Sequence, residues 1–329
     1  MKHHRHDLLL VGLLISLPAT GLCGDSTPLT WDPYFQSSVT KFTRTNQWRI
    51  ENLTNVSRVD ASRLRGLEIH DRPLAEWSHP DATLSRNIVY LYIRTHSANL
   101  DETFFDAILH YRALEHLSVS CSSATNISAS IGRLAQLGKL RSLALYASKA
   151  GEIPREIYDV KGLEELTLSV GNANLPAGIS KLRQLSRFTL RANSGEGGVR
   201  TPSDLQNSSV EYLHLMRVGS LDRRLPELPS KTRLLKAWRC GLEGIPNGWC
   251  KQRTVEALDL SDNSLNSFPL CLLENPALKI LSLDWNKITE VPPLPVPASR
   301  RVSISIVGNP LKEIAPENEE LIKKGILNK

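Results

Sequence analysis

Apolar residues recur along this chain at fixed offsets within a unit of about 23 residues, and residues 255–288 show the unit twice. Val255, Leu258, Leu260, Asn263 and Leu265 return 23 positions later as Leu278, Leu281, Leu283, Asn286 and Ile288. Leu258 and Leu260 are two apart, the period of a strand, so both point to one side while residues 257, 259 and 261 point to the other. The pattern predicts one short strand per unit, followed by a turn at the asparagine. There the chain leaves the sheet with backbone groups that need buried partners, and a side-chain amide with two donors and an acceptor can supply them. Eleven units can be laid out, with first positions at Leu64, Ile88, Leu114, Leu140, Leu163, Leu185, Val210, Thr232, Val255, Leu278 and Arg301. A fixed period in this range predicts stacked coils, each burying its apolar side against the next.

The spacing LxxLxLxxNxL resembles the leucine-rich repeat. That resemblance implies an α/β solenoid of about 11 repeats over residues 61–314, with a curved parallel sheet on the concave face and short helical or extended segments on the convex face. The third, fifth and seventh positions of each unit would then face a partner. Early units are degenerate, with Arg72, His96 and Ser122 where asparagine is typical. The return segments EIPREI (152–157), NLPAGI (174–179) and GIPNGW (244–249) resemble the LPxxI segment of repeats with a helical turn. Proline at the first position of such a turn gives up no hydrogen bond. LPELP (225–229) and VPPLPVP (291–297) are similar instead to the extended connectors of the bacterial LPX class. That likeness implies a secreted, Gram-negative, host-interacting protein. The ubiquitin-ligase domain that some LPX proteins carry is not expected in the residues after the last repeat.

The flanks read differently. Residues 1–23 carry Lys2, Arg5 and three histidines, then an apolar run from Leu8 to Leu17, then Pro18 and small residues, the order of a secretory signal. Ten apolar residues are too few to span a bilayer. Cleavage is expected between Ala19 and Gly24. Lipidation at Cys23 is the alternative, against which stands Leu22 where a small residue is expected. The charged leader accounts for His3, His4 and His6 without a metal. Residues 24–60 concentrate aromatics (Trp31, Tyr34, Phe35, Phe42, Trp48) and are read as an N-terminal cap over the first coil. Residues 315–329 read as a C-terminal capping helix, with Pro316 at its start, Glu317, Glu319 and Glu320 in its first turn, and Lys323 and Lys324 near its end. Gly195, Gly197 and Gly198 lie close together, but no Gly-Lys-Ser/Thr or Rossmann spacing accompanies them, so they are read as a connection.

Chemistry narrows the function. A net charge of +6, without dense basic clusters, argues against nucleic acid. No GxSxG, HExxH or P-loop occurs, and no cofactor is expected. Cys240 takes an asparagine position and is read as structural, with Asn263, Asn286 and Asn309. Cys250 and Cys271 fall on the convex side of adjacent units, where a disulfide is open to them. Sequons occur at Asn52, Asn55, Asn126 and Asn207. The outward positions carry Tyr90, Tyr92, Arg94, His116, Tyr146, Arg187, Arg191, Tyr212, His214, Met216, Lys236 and Trp238, then Asp259 and Asp284. Tyrosine, tryptophan and arginine are the residues enriched at binding hot spots. The expectation is a secreted or periplasmic, non-enzymatic module that binds a protein or peptide on its concave face, through a basic and aromatic centre with an acidic C-terminal end. The alternative is a carbohydrate- or cell-envelope-binding protein, lipidated or not, with a structural role.

Overall fold

The structure is a computed structural model that describes residues 49–52, 61–97, 99–171, 174–193, 199–218, 225–297 and 299–329. The expected signal, most of the expected N-terminal cap, Cys23, Asn55 and the glycine cluster at 195–198 lie outside the described residues, as does the side chain of Asn52.

Among the described residues, thirteen parallel strands form one sheet in chain order. They are β1 (Arg49–Asn52), β2 (Leu64–His70), β3 (Tyr90–Arg94), β4 (His116–Ser120), β5 (Ser142–Ala147), β6 (Glu165–Val170) and β7 (Arg187–Ala192), then β8 (Tyr212–Met216), β9 (Leu234–Trp238), β10 (Ala257–Asp259), β11 (Ile280–Ser282), β12 (Ser303–Ser305) and β13 (Leu327–Asn328). Eleven of them fall in the units read from sequence, and one more stands at each end. From β2 to β13 the register places one inward apolar residue opposite the next: Leu67, Leu91, Leu117, Leu143, Leu166, Phe188, Leu213, Leu235, Leu258, Leu281, Ile304 and Leu327. None is more than 3% exposed, so this single row forms the spine of a continuous core. Burying each such side chain contributes up to about 1.5–3 kcal/mol before chain entropy is set against it.

Asparagines pin the turns where the strands end. Asn263 Nδ2 donates to the carbonyls of Ala237 and Leu260, and its Oδ1 accepts from the amides of Cys240 and Leu242. Asn286 and Asn309 repeat the arrangement one and two coils on. Cys240 is buried among these turns, and burial pushes its thiol up to about 12. The residue before each turn asparagine adopts a left-handed backbone, at Asp262 (φ 57°), Trp285 (φ 54°) and Gly308 (φ 76°), and Arg239 before Cys240 does the same.

The convex side changes character along the chain. Its early coils carry α1 (Ala82–Asn87) and α2 (Glu102–Leu109), capped by the Asp81 and Asp101 carboxylates. Later coils use 3-10 segments, eight residues long at Ala129–Gln136 and three to five residues after it. Pro154 and Pro246 sit one residue before those turns, as caps, so the expected first-position role moves one place upstream. The two proline-rich connectors, 225–229 and 291–297, form no helix. Buried Asn318 holds the second, accepting from the Leu294 amide and donating to the Pro292 carbonyl. Cys250 and Cys271 lie on consecutive 3-10 turns with their sulfurs 2.07 Å apart, in a disulfide.

Helix at the C-terminal end is shorter than residues 315–329. A 3-10 turn, Pro316–Asn318, leads into α3 (Glu319–Lys323), and Gly325 (φ 67°) then turns the chain back as β13, hydrogen-bonded to β12.

Candidate functional site

The outward side chains form three rows, because parallel strands in register place equivalent positions side by side, about 4.8 Å apart. The first row runs Tyr90, His116, Ser142, Glu165, Arg187, Tyr212, Leu234, Ala257 and Ile280. The second runs Tyr92, Ser118, Ala144, Thr167, Thr189, His214, Lys236, Asp259 and Ser282. The third carries Arg94, Ser120, Tyr146, Ser169, Arg191, Met216 and Trp238. Asp284 follows just past β11.

These expected residues fall into two groups. Arg187, Arg191, Tyr212, His214, Met216, Lys236 and Trp238 are contiguous on β7, β8 and β9. Tyr90, Tyr92, Arg94, His116 and Tyr146 make a second aromatic area on β3 to β5. Between the two, the middle row is small: Ser118, Ala144, Thr167 and Thr189. The face is therefore a trough with aromatic shoulders.

Charges on this face meet each other. Arg187 lies 3.3 Å from Glu165, and its guanidinium stacks 3.9 Å from the centre of the Tyr212 ring. Lys236 Nζ is 3.0 Å from Asp259, and Arg94 is 3.2 Å from Asp71. Asp284 is buried and accepts from the Ser282 and Ser305 hydroxyls and the Val307 amide. Three of the cations on this face are thus offset by carboxylates, while Asp284 is met by hydroxyls and an amide.

Burial sets the protonation of the histidines. Desolvation, with Lys236 and Arg191 nearby, lowers His214 to about 4, and desolvation lowers His116 to about 4 as well. Both are neutral near pH 7, which keeps the trough less cationic than its composition suggests. Tyr90 and Tyr146 are pushed above the usual phenol range by burial and stay protonated.

Sequence reasoning missed two features. Leu234, Ala257 and Ile280 form an apolar strip on the outward side, separate from the main core and flanked by Tyr212. The repeat period places them outward, and their apolar character at outward positions is the signal that marks the strip. Glu165, the partner of Arg187, is the second. Trp285, which the sequence places beside Asp284, is 65% exposed and Val307 beside it 39% exposed, at the rim where the strands end. The indole lies against Gly308, where an added Cβ would come within 2.7 Å of the ring.

Elsewhere, Arg72, Trp77, Asp101 and Phe104 help line a cleft of about 240 Å³, small for a drug-sized ligand. Among the described residues no three histidine, cysteine or acidic side chains are grouped to hold a metal, and no helix is long and apolar enough to cross a membrane. The sequon residues Asn126 and Asn207 are exposed.

No protein-family model matches the chain. A stretch of 166 residues is 28% identical to the volume-regulated anion channel subunit LRRC8E of Homo sapiens, covering 46% of this chain and 20% of that protein. The Mus musculus counterpart is 30% identical over 168 residues, covering 47% of this chain and 20% of the relative. The match thus spans a fifth of the length of these curated relatives. Among solved structures, an LRR protein of Leptospira interrogans superposes with a TM-score of 0.54 at 18% identity, over 85% of this chain and 80% of the other. An internalin, inlF, of Listeria monocytogenes gives 0.51 at 13% identity, over 81% and 80%. Together with the parallel sheet, these likenesses establish a leucine-rich-repeat solenoid fold.

Proposed function

We propose that this chain is a non-enzymatic recognition module whose concave face binds a protein or peptide partner outside the cytoplasm. One observation carries the reading: Arg187, Tyr212, His214, Met216, Lys236 and Trp238 meet on three adjacent strands of a rigid sheet, beside the apolar strip Leu234, Ala257 and Ile280. Residues with no duty in the core are here large, aromatic or cationic, the composition of a desolvated hot spot with a polar surround. The Cys250–Cys271 disulfide supports an oxidising compartment, in keeping with the leader-like residues 1–23. On this reading residues 24–60 and 315–329 cap a repeat body at 61–314, and the LPX resemblance supports a bacterial protein that meets a host.

The test is capture from host and envelope extracts. The wild type is compared with a variant carrying Tyr212→Ala, His214→Ala and Trp238→Ala. Retention of a protein by the wild type alone, with circular dichroism unchanged, is the expected result. Equal retention by both would move the site off the concave face.

A second reading rests on Trp285. A bulky residue in the left-handed region is strained, and this one is also exposed, so neither backbone preference nor burial explains it. One indole face lies on Gly308 and the other is open, a platform suited to a sugar ring of an envelope glycan. Glycan-array binding abolished by Trp285→Ala, and untouched by the concave variant, would favour it.

A further inference from the structure

The third outward row offers a cation that no carboxylate among the described residues compensates. Arg94, Arg187 and Lys236 each have a carboxylate within 3.3 Å. Arg191, on the same face, is exposed and has no ion-pair partner among the described residues. It projects from the middle of the sheet, between Ser169 on β6 and Met216 on β8, so its base is held by the ladder on both sides. Met216 and Trp238 continue the row away from it, both half-buried and apolar. Trp238 is steadied by the Arg239 guanidinium, 4.4 Å from its ring centre, and Arg239 in turn is paired with Asp262.

Charge complementarity names what such a row takes. A guanidinium offers a rigid fork of donors that matches a carboxylate, and charge-assisted hydrogen bonds of this kind are about twice as strong as neutral ones. The other cations need no such ligand, because Glu165, Asp259 and Asp71 already serve them. We infer that the partner presents a carboxylate side chain to Arg191 and an apolar side chain to Met216 and Trp238, within one extended segment crossing β7 to β9. This rests on the concave-face reading and deepens it.

The sheet sets the spacing. Met216 stands one strand from Arg191 and Trp238 two strands, so they lie at about 5 and 10 Å along the row. An extended chain points alternate side chains to the same side about 6.6 Å apart, which falls between these two. The recognised element is therefore an aspartate or glutamate two residues from a large apolar residue.

The probe is an immobilised array of nonapeptides in a Gly-Ser-Thr background, with two positions, i and i+2, varied through all residue types. It is read with full-length wild-type protein and with the Arg191→Gln, Arg191→Lys and Trp238→Ala variants. The wild type is expected to select acid at one position and Leu, Phe or Trp at the other. Arg191→Gln should weaken acid-bearing peptides roughly tenfold and erase the preference for Glu over Gln, while Arg191→Lys keeps part of it. Trp238→Ala should relax the apolar position and leave the acid preference in place. An acid preference that survives Arg191→Gln, or selection of basic residues, overturns this inference, yet leaves the concave reading standing if Trp238→Ala still matters. Binding indifferent to every variant, or no peptide selected at all, overturns both.

Discussion

Asn263 shows how much one side chain carries in this fold. Its amide serves two carbonyls and two backbone amides from two adjacent coils, all in the interior. Leaving a buried backbone group without a partner costs about 1–3 kcal/mol. Asn263→Ala should therefore lower stability by roughly 3 kcal/mol in urea denaturation, and Asn263→Asp, which keeps the acceptor and loses the donors, should cost comparably. The histidines make a prediction in pH. His116 and His214 titrate at about 4 in the folded chain, below their ordinary value of 6.5, because burial disfavours the charged ring. Between those values the unfolded chain binds more protons, so stability is full above pH 6.5 and falls as pH drops toward 4. Thermal melts across that window should show the loss, and replacing both histidines with glutamine should flatten it.

At the scale of elements, the sequence disclosed the strands better than the links between them. Leucines at alternate positions and a terminal asparagine determine where β10 and β11 begin and turn, because both signals act within a few residues. The return path was less legible. Pro154 and Pro246 cap their turns from one residue upstream, since a 3-10 turn is too short for its bounds to be read from one proline. Strand β13 went unseen because Leu327 stands alone, without the repeat that identified the others, and the helical charges before it dominated the reading. The candidate site was half visible. Outward residues followed from periodicity, but which charges would pair did not, because Glu165 and Arg187 are neighbours only through the register of β6 and β7. The disulfide joins two such convex turns, 21 residues apart in sequence. Closing a loop of that length restricts the unfolded chain, and the double variant Cys250→Ala, Cys271→Ala should lose about 3 kcal/mol against the oxidised protein.

For the molecule as a whole, stacked coils contact chiefly their neighbours, so stability is close to a sum of local terms and should vary along the axis. Strands β5, β6 and β7 have six residues each and are paired over five or six residues on both sides, while β10, β11 and β12 have three. Amide hydrogen exchange should be slowest in the former and faster toward the C-terminal coils; uniform protection would contradict additive coils. The continuous hydrogen-bonded sheet makes a preformed concave surface, which binds without first being ordered. Hydroxyl-radical footprinting with the captured partner tests that claim most directly. The account predicts that Tyr212, Met216 and Trp238 lose reactivity on binding while convex Leu270 keeps its own. Protection of convex residues with an unchanged concave face would contradict it.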